Sequence, residues 1–385
     1  MSDQGIDAVK EILHEGGSLL PSEQPLRWVG SVLPAALWAV DQANENSSSD
    51  AASAMGVESA RHAVVIMVDG LGVVPLTDRL SYARTLRGFA DSIVVGQSTV
   101  PSTTASALTA FTTGALPGAT RMVGYAVRRS DHVMNLLNFE KDVVAQQWQS
   151  VPTLFERLAD SGLRTRIITK PKFRDSGLTQ ASFRGAGFVG REGLTERFDA
   201  ALAGIREGVE LQVVYWSDID HEGHRSGVTS QKWAEELEEF DTALGAFLAR
   251  VPSETLVLLT ADHGMVDVER IIDIADTPEL LDGVPLVAGE GRALHLHTAP
   301  GEEAAVVARW TQFLDGVADV VPAADLPPLL GEGAGIAEIG AAMVFLRDNT
   351  VILDSRSQKK SVFEMRGVHG SLTHAEMAIP LLRLV

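Results

Sequence analysis

Apolar runs of strand length alternate with amphipathic segments of helix length through the central part of the chain. In the run at 62–72, six consecutive apolar residues, several of them β-branched, lead into Asp-Gly. This pattern is typical of a buried parallel strand that opens into a loop. Further strands are predicted at 92–96, 164–169, 211–216 and 255–260, and helices at 151–162, 194–208 and 231–250. The alternation predicts an α/β fold with a mostly parallel central sheet and helices on both faces.

The pattern changes on either side of this region. Only short helices are predicted before it, at 7–14 and 33–42, and after it Pro-rich and Gly-rich turns surround two short strands, at 293–297 and 342–346. We therefore predict three parts: an N-terminal arm over 1–60, a core over 61–267 and 346–385, and a small cap subdomain inserted at 268–345.

Composition narrows the possible functions. The 385 residues carry a net charge of −19, which argues against a nucleic-acid groove that works by neutralising phosphates. There is no cysteine, so disulfides, zinc–thiolate sites and cysteine nucleophiles are excluded. The N-terminus lacks a basic start with an apolar run, and no stretch reaches about 18 apolar residues. We expect a cytoplasmic protein without a membrane span.

Acidic residues follow three of the predicted strands within a few positions. In an open parallel sheet, ligands bind beyond the carboxyl ends of the strands. One such turn has a simple structural explanation, because Asp is a common turn and cap residue. Three strand ends of this kind, two of them with histidine close by, indicate a shared site. The residues are Asp69, Asp218, Asp220, Asp262 and His263.

Two further histidines extend this set. The spacing Asp220-x-x-x-His224 suits two ligands on one turn of chain, with Glu222 as a competing candidate and His221 interpreted as an exposed residue. His369 lies in a Gly-Val-His-Gly sequence, where the backbone can approach closely. Three other histidines are interpreted as structural or surface residues: His295, His297 and His374.

A hydroxyl-rich stretch, 100–114, follows the strand at 92–96 and leads into a helix of small residues. Ser102, Thr103 and Thr104 offer three consecutive hydroxyls near the helix start. Free N–H groups and the positive end of the helix dipole can bind an anion there. Ser and Thr are also ordinary helix caps, so the stretch indicates a nucleophile only in combination with the ligands described above.

Carboxylate and imidazole ligands without thiolate suit Zn²⁺ best and Mn²⁺ second. The candidates sort into two mixed Asp/His clusters, so we expect two divalent metal ions. Two ions about 4 Å apart can lower the pKa of a hydroxyl and stabilise a leaving oxygen.

These motifs, in this order, resemble the alkaline phosphatase superfamily and most closely its type I phosphodiesterase/nucleotide pyrophosphatase branch. The similarity covers roughly 62–265 and 366–385, and it implies an alkaline phosphatase-like core. Residues 100–114 align without a gap with the family's Phe-Pro-Thr-Lys-Thr…Thr-Gly stretch, which places Thr104 at the nucleophile. The resemblance implies one metal held by Asp220, His224 and His369, and a second held by Asp69, Asp262, His263 and the Thr104 oxygen.

One position departs from the family pattern. Nucleotide pyrophosphatases carry an asparagine that donates to the substrate phosphate, and the corresponding position here is Tyr125. A tyrosine hydroxyl can still donate, but the pocket must have another shape. A basic loop could contact an anionic substrate or simply face solvent; its residues are Lys170, Lys172 and Arg174.

The resemblance implies a metal-dependent hydrolase that acts on a small phosphate ester, such as a nucleotide. Two alternatives stay open. The same site could serve a phosphomonoesterase or phosphonate hydrolase, or the fold could belong to a metal-free binding protein.

Overall fold

The computed structural model describes residues 26–385, so the helix predicted at 7–14 lies outside the described residues. The strands are, in chain order, β1 (His62–Val68), β2 (Val94–Gln97), β3 (Ala126–Arg129), β4 (His132–Asn135), β5 (Thr165–Thr169), β6 (Gly187–Gly190), β7 (Leu211–Trp216), β8 (Thr255–Thr260), β9 (Val266–Asp267), β10 (Arg270–Asp273), β11 (Leu286–Glu290), β12 (Ala293–His297), β13 (Ala318–Pro322), β14 (Ala342–Leu346), β15 (Thr350–Leu353), β16 (Gly367–Val368) and β17 (Ala378–Arg383).

The α-helices are Val32–Val40, Ser49–Ala54, Val73–Asp78, Arg84–Arg87, Thr104–Thr113, Pro117–Thr120, Ala145–Trp148, Leu154–Arg157, Gly177–Ser182, Leu194–Glu207, Asp218–Ser226, Gln231–Leu248, Pro278–Leu281, Glu303–Phe313, Pro327–Leu330, Lys360–Phe363 and His374–Met377. Short 3₁₀ helices lie at Val29–Ser31, Leu80–Tyr82, Ala90–Ser92, Pro171–Phe173, Ile274–Asp276, Ala323–Asp325 and Ala334–Glu338. No helix within residues 26–385 combines the length and the apolar character that a bilayer crossing requires.

A seven-stranded sheet forms the centre, in the order β2-β17-β8-β1-β7-β5-β6. Strands β8, β1, β7, β5 and β6 are mutually parallel, whereas β17 runs antiparallel to both β8 and β2. Every residue of β1, β7 and β8 is buried, so helices cover both faces of the sheet. The predicted α/β fold with a mostly parallel central sheet is confirmed.

The described part of the predicted N-terminal arm is not peripheral. Helix Val32–Val40 packs against β1, and Val29, Leu33 and Leu37 are fully buried in the main core. The helix is apolar on nearly all sides, and such a helix is stable only when it is covered all round.

A four-stranded antiparallel sheet, β11-β12-β14-β13, occupies the region predicted as a cap. One of its faces packs against Trp310 and Val306 of helix Glu303–Phe313 in a core of its own. The other face packs against the 122–145 segment through Met343 and Phe345. β10 also pairs in parallel with β15, so the contacts of this region continue beyond residue 345.

The helix predicted at 151–162 is a single turn, Leu154–Arg157. Thr153 and Glu156 form a reciprocal capping box at its start. Residues 159–162 are all exposed, so extending the helix would bury no further apolar surface.

Candidate metal centre

Asp69, Asp220 and Asp262 meet at the carboxyl edge of the central sheet, beyond the neighbouring strands β1, β7 and β8. Gly70 allows this approach, because it has a positive φ of 73° and a Cβ there would lie 2.9 Å from Cβ of Asp220. Its N–H donates to Oδ1 of Asp262 at 3.1 Å. The sheet and this turn therefore bring the three predicted acids together.

Asp69 is held from behind by Tyr215, a residue that the sequence reasoning did not single out. The Tyr215 hydroxyl donates to Oδ2 of Asp69, and both side chains are buried. Oδ1 of Asp69 has no hydrogen-bond partner and lies 3.5 Å from Nε2 of His263. Burial and the nearby Asp262 and Asp220 carboxylates raise the pKa of Asp69 well above its usual value.

Asp262 resembles Asp69 in that one of its carboxylate oxygens has hydrogen-bond partners and the other has none. Its Oδ1 accepts from the N–H groups of Gly70 and His263, while Oδ2 is buried without a partner. Oδ2 lies 3.5 Å from Nε2 of His263. Burial raises the pKa of Asp262, so without a cation its carboxylate would face the other acids at a cost in free energy.

The three predicted histidine ligands share one anchoring pattern. Nδ1 of His224, His263 and His369 contacts the carbonyl oxygens of Gly367, Gly264 and Ser102 at 2.8, 2.9 and 3.0 Å. A carbonyl oxygen can only accept, so Nδ1 must carry the proton and Nε2 keeps its lone pair. Metal-ligating histidines are oriented in this way by an acceptor behind the ring.

Asp220 joins two groups of possible ligands. Its oxygens lie 3.4 Å from Nε2 of His224 and 3.7 Å from Nε2 of His369. The ligand atoms of Asp220, His224 and His369 lie within 4.8 Å of one another, and so do those of Asp69, Asp220 and His263. Helix Asp218–Ser226 supplies Asp220 and His224 from one face, because residues four apart are neighbours on a helix.

The donor set fits divalent cations. Asp69, Asp220 and Asp262 each have one buried carboxylate oxygen without a partner, and unpaired buried acceptors are rare in native proteins because they are costly. Burial and the neighbouring rings of His263 and His224 lower the pKa of His369 well below its usual value, which keeps it neutral. Neutral imidazoles and carboxylates without thiolate are ligands that zinc and manganese accept.

The three hydroxyls of the 100–114 stretch have different surroundings. Ser102 is fully buried and donates to the carbonyl of Ser371 at 2.6 Å. Thr103 is buried too and donates to Oε2 of Glu290 at 3.2 Å. Only Thr104 is accessible in this triplet, and its Oγ1 lies 3.2 Å from Nε2 of His263. The hydroxyl that faces the ligand cluster is therefore that of Thr104.

Glu290 is a second residue that the sequence did not indicate. It ends strand β11 of the inserted sheet, and its Oε2 lies 3.9 Å from Nδ1 of His369. Burial raises the pKa of Glu290 to about 8. No local sequence signal marks it, since only the folding of the inserted region places it beside the cluster.

A cleft of about 1190 Å³ opens above the cluster, between the core and the inserted sheet. Asp69, Thr104, Asp220, His224 and His369 lie at its base. Tyr125, Val133 and Ile271 also line it, each with 42 % of its surface exposed, so parts of the cleft wall are apolar.

The basic loop after β5 contributes two of its three cations to the cleft. Lys170 and Lys172 line it, and Lys170 forms an ion pair with Asp218. Arg174 lies instead over the ring of Phe188, at 4.4 Å from its centroid.

Within residues 26–385, none of the other candidates belongs to the two ligand groups. His221 is exposed, and Glu222 accepts from the Ser226 hydroxyl at 2.5 Å. His295 and His297 are buried in strand β12, and Nε2 of His295 contacts the carbonyl of Val123 at 3.1 Å. His374 is the first residue of helix His374–Met377.

Comparison with known proteins identifies one matching family and several curated relatives that align with only part of the chain. The model of the family described as type I phosphodiesterase / nucleotide pyrophosphatase matches residues 63–372. A phosphopentomutase of Shewanella frigidimarina is 36% identical over 118 residues, which are 29% of this chain and 27% of that protein. One of Shewanella denitrificans is 33% identical over 119 residues, with the same coverage. The chain thus spans about a quarter of the length of these curated relatives.

Solved structures are similar over most of the fold. Phosphonoacetate hydrolase from Sinorhizobium meliloti, in complex with phosphonoformate, matches with a TM-score of 0.65 and 16% identity over 84% of this chain and 90% of its own. An inactive form of murine ectonucleotide pyrophosphatase/phosphodiesterase 5, in complex with AMP, matches with a TM-score of 0.64 and 13% identity over 83% and 87%. At these identities the likeness concerns the fold.

Proposed function

The chain belongs to the type I phosphodiesterase / nucleotide pyrophosphatase family, and we propose that it is a metal-dependent phosphoric ester hydrolase with Thr104 as nucleophile. One observation carries the proposal. The Thr104 hydroxyl is the accessible one of the triplet, and it lies 3.2 Å from Nε2 of His263, in a mostly buried cluster of imidazole Nε2 atoms and unpartnered carboxylate oxygens.

Two divalent cations would be held by this cluster. Asp220, His224 and His369 would bind one, and Asp69, Asp262, His263 and Thr104 the other, with Zn²⁺ the first expectation and Mn²⁺ the second. When bound, such ions neutralise phosphoryl oxygens, acidify a hydroxyl and stabilise the charge on a leaving oxygen.

Thr104 supplies the covalent step. Its Oγ1 loses a proton and attacks phosphorus in line, which forms an oxygen–phosphorus bond and breaks the bond to the leaving oxygen; that oxygen takes up a proton and departs as the alcohol. Water then attacks the phosphothreonine: its oxygen bonds to phosphorus, the bond from phosphorus to Oγ1 breaks, and one proton of the water restores the Thr104 hydroxyl. The first turn of helix Thr104–Thr113 has no side-chain cap, and its backbone N–H groups and positive dipole end would bind the oxygens of the transferred group.

The cleft supports a diester substrate with a sizeable leaving group. Its volume of about 1190 Å³ exceeds what a single small phosphate ester would fill. Tyr125 lines the cleft on the side of the β3–β4 hairpin, where an aromatic ring can pack against an apolar or aromatic group of the substrate. A nucleotide is one substrate of this class.

A phosphonate carrying a second anionic group is the alternative that one observation favours. Lys170 and Lys172 line the cleft, and the carboxylate of such a substrate could compete with Asp218 for Lys170. The phosphonoacetate hydrolase of similar fold was solved in complex with phosphonoformate, which supports this alternative.

Turnover by metal-loaded protein tests the proposal. Bis(4-nitrophenyl) phosphate, 4-nitrophenyl phosphate and phosphonoacetate should be compared at equal metal content, and we expect the diester to be the best substrate. Thr104→Ala should lower kcat by about 10³-fold or more while metal content, measured by mass spectrometry, is unchanged. Thr104→Ser keeps a hydroxyl and should retain part of the activity. A fully active Thr104→Ala variant would contradict the assignment of the nucleophile.

A further inference from the structure

Glu290 connects the inserted sheet to the start of the nucleophile helix. β11 is an edge strand of that sheet, and Glu290 is its last residue. Its carboxylate reaches out of the sheet, where Oε2 accepts from the Thr103 hydroxyl at 3.2 Å and lies 3.9 Å from Nδ1 of His369. Gly370 makes room for it, because a Cβ at that position would lie 2.9 Å from Cδ of Glu290. The side chain is thus bonded to the residue before the nucleophile helix and packs against the segment that carries His369.

Thr103 occupies the N-cap position of helix Thr104–Thr113, with the extended backbone that caps adopt. A threonine there normally accepts from an N–H of the first helical turn. Here the helix has no side-chain cap, because the Thr103 hydroxyl is turned toward Glu290 instead. The N–H groups of the first turn, beside Thr104, are therefore left uncapped by this hydroxyl.

We propose that Glu290 is a positioning residue: by holding the Thr103 hydroxyl, it keeps the helix N-terminus beside Thr104 open to the phosphoryl oxygens of the substrate. The inserted sheet would then be an integral part of the reaction centre. This inference rests on the proposed function in that the transferred group is a phosphoryl group. It depends only on Glu290 accepting a hydrogen bond, which both protonation states of a carboxyl allow.

Measuring the affinity for phosphate tests the positioning role of Glu290 independently of catalytic turnover. The probe is inorganic phosphate, titrated calorimetrically into metal-loaded protein that also carries Thr104→Ala, so that no chemistry occurs. Glu290→Met fills similar space without an acceptor, frees the Thr103 hydroxyl to cap the helix, and should weaken phosphate binding about 5- to 30-fold. Glu290→Gln keeps an acceptor oxygen and should bind phosphate more tightly than Glu290→Met.

The decisive variant is the double substitution Glu290→Met with Thr103→Val. Valine cannot cap, so the helix N-terminus should open again and phosphate binding should recover most of the loss seen in Glu290→Met. Losses that add in the double variant would overturn the proposal, as would unchanged binding in Glu290→Met. If Glu290→Met does not fold, Glu290→Ala replaces it in the same cycle.

Two controls define the origin of the effect. Glu338 of the inserted region also bonds to the core, through Arg121, and Glu338→Gln should leave phosphate binding unchanged. Metal content must be equal in all variants, and a loss of metal in Glu290→Met would place the effect at His369 and refute the role of Thr103. Failure of the proposed function is recognised separately, by a fully active Thr104→Ala or a wild type without esterase activity.

Discussion

Replacing Tyr215 with phenylalanine should weaken the binding of one metal ion and leave the other unaffected. The substitution removes the hydroxyl that donates to Oδ2 of Asp69 and keeps the ring that packs beside Phe173. Tyr215 and Asp69 are only 8 % and 3 % exposed, so water cannot take the place of the lost donor. Asp69 would then be free to turn its unpartnered oxygen away from His263.

The size of the effect follows from these contacts. A hydrogen bond to a charged group contributes about 1.5–3 kcal/mol, and loss of a partner behind a metal ligand costs about 10- to 100-fold in metal affinity. At about 1.4 kcal/mol for each factor of ten, the two figures agree. In the proposed assignment Asp69 shares an ion with Asp262 and His263, and its unpartnered oxygen lies 3.5 Å from Nε2 of His263, whereas the other ion is held by Asp220, His224 and His369, so only one binding step should change.

Competition between metal-free protein and a fluorescent zinc chelator measures both steps. Tyr82→Phe is the matched control, because its hydroxyl donates to Gln231 at the exposed surface, at 3.0 Å. The reasoning is refuted if folded Tyr215→Phe protein binds both ions with the affinities of the wild type. It is refuted equally if both steps weaken alike, since Asp69 would then not belong to a single ion.

Further substitutions test other parts of the structure. His369→Ala should remove about one equivalent of bound metal, whereas His374→Ala should retain both, as measured by mass spectrometry of purified protein; equal losses would reverse the ligand assignment. Arg292→Met breaks a fully buried bidentate ion pair with Glu376 and should lower the free energy of unfolding by about 3–5 kcal/mol, measured in urea. A midpoint close to that of the wild type would refute that estimate. Tyr125→Ala should raise KM for an aryl diester several-fold more than KM for 4-nitrophenyl phosphate; equal changes would exclude a contact with the leaving group.

The sequence by itself determined the central sheet and most of the candidate ligands. The apolar runs at β1, β7 and β8 are followed within a few residues by Asp69, Asp220 and Asp262, and parallel strands bring their carboxyl ends to one edge. This rule of parallel sheets predicts from the sequence that the three acids lie close together. The order of the motifs then indicated the family, and the family model that matches 63–372 confirms it.

Only the tertiary structure determined which side chains contact and orient the ligands and the nucleophile helix. Tyr215 and Glu290 have no local signal, since a tyrosine in a buried strand and a glutamate at the end of an edge strand are ordinary in sequence. Their roles arise from contacts between segments far apart in the chain, 146 residues for Tyr215 with Asp69 and 187 for Glu290 with Thr103. The local sequence pattern indicates the acidic ligands, because each of them closely follows an apolar strand. The groups that orient those ligands depend on how separate elements pack, and only the folded chain fixes that.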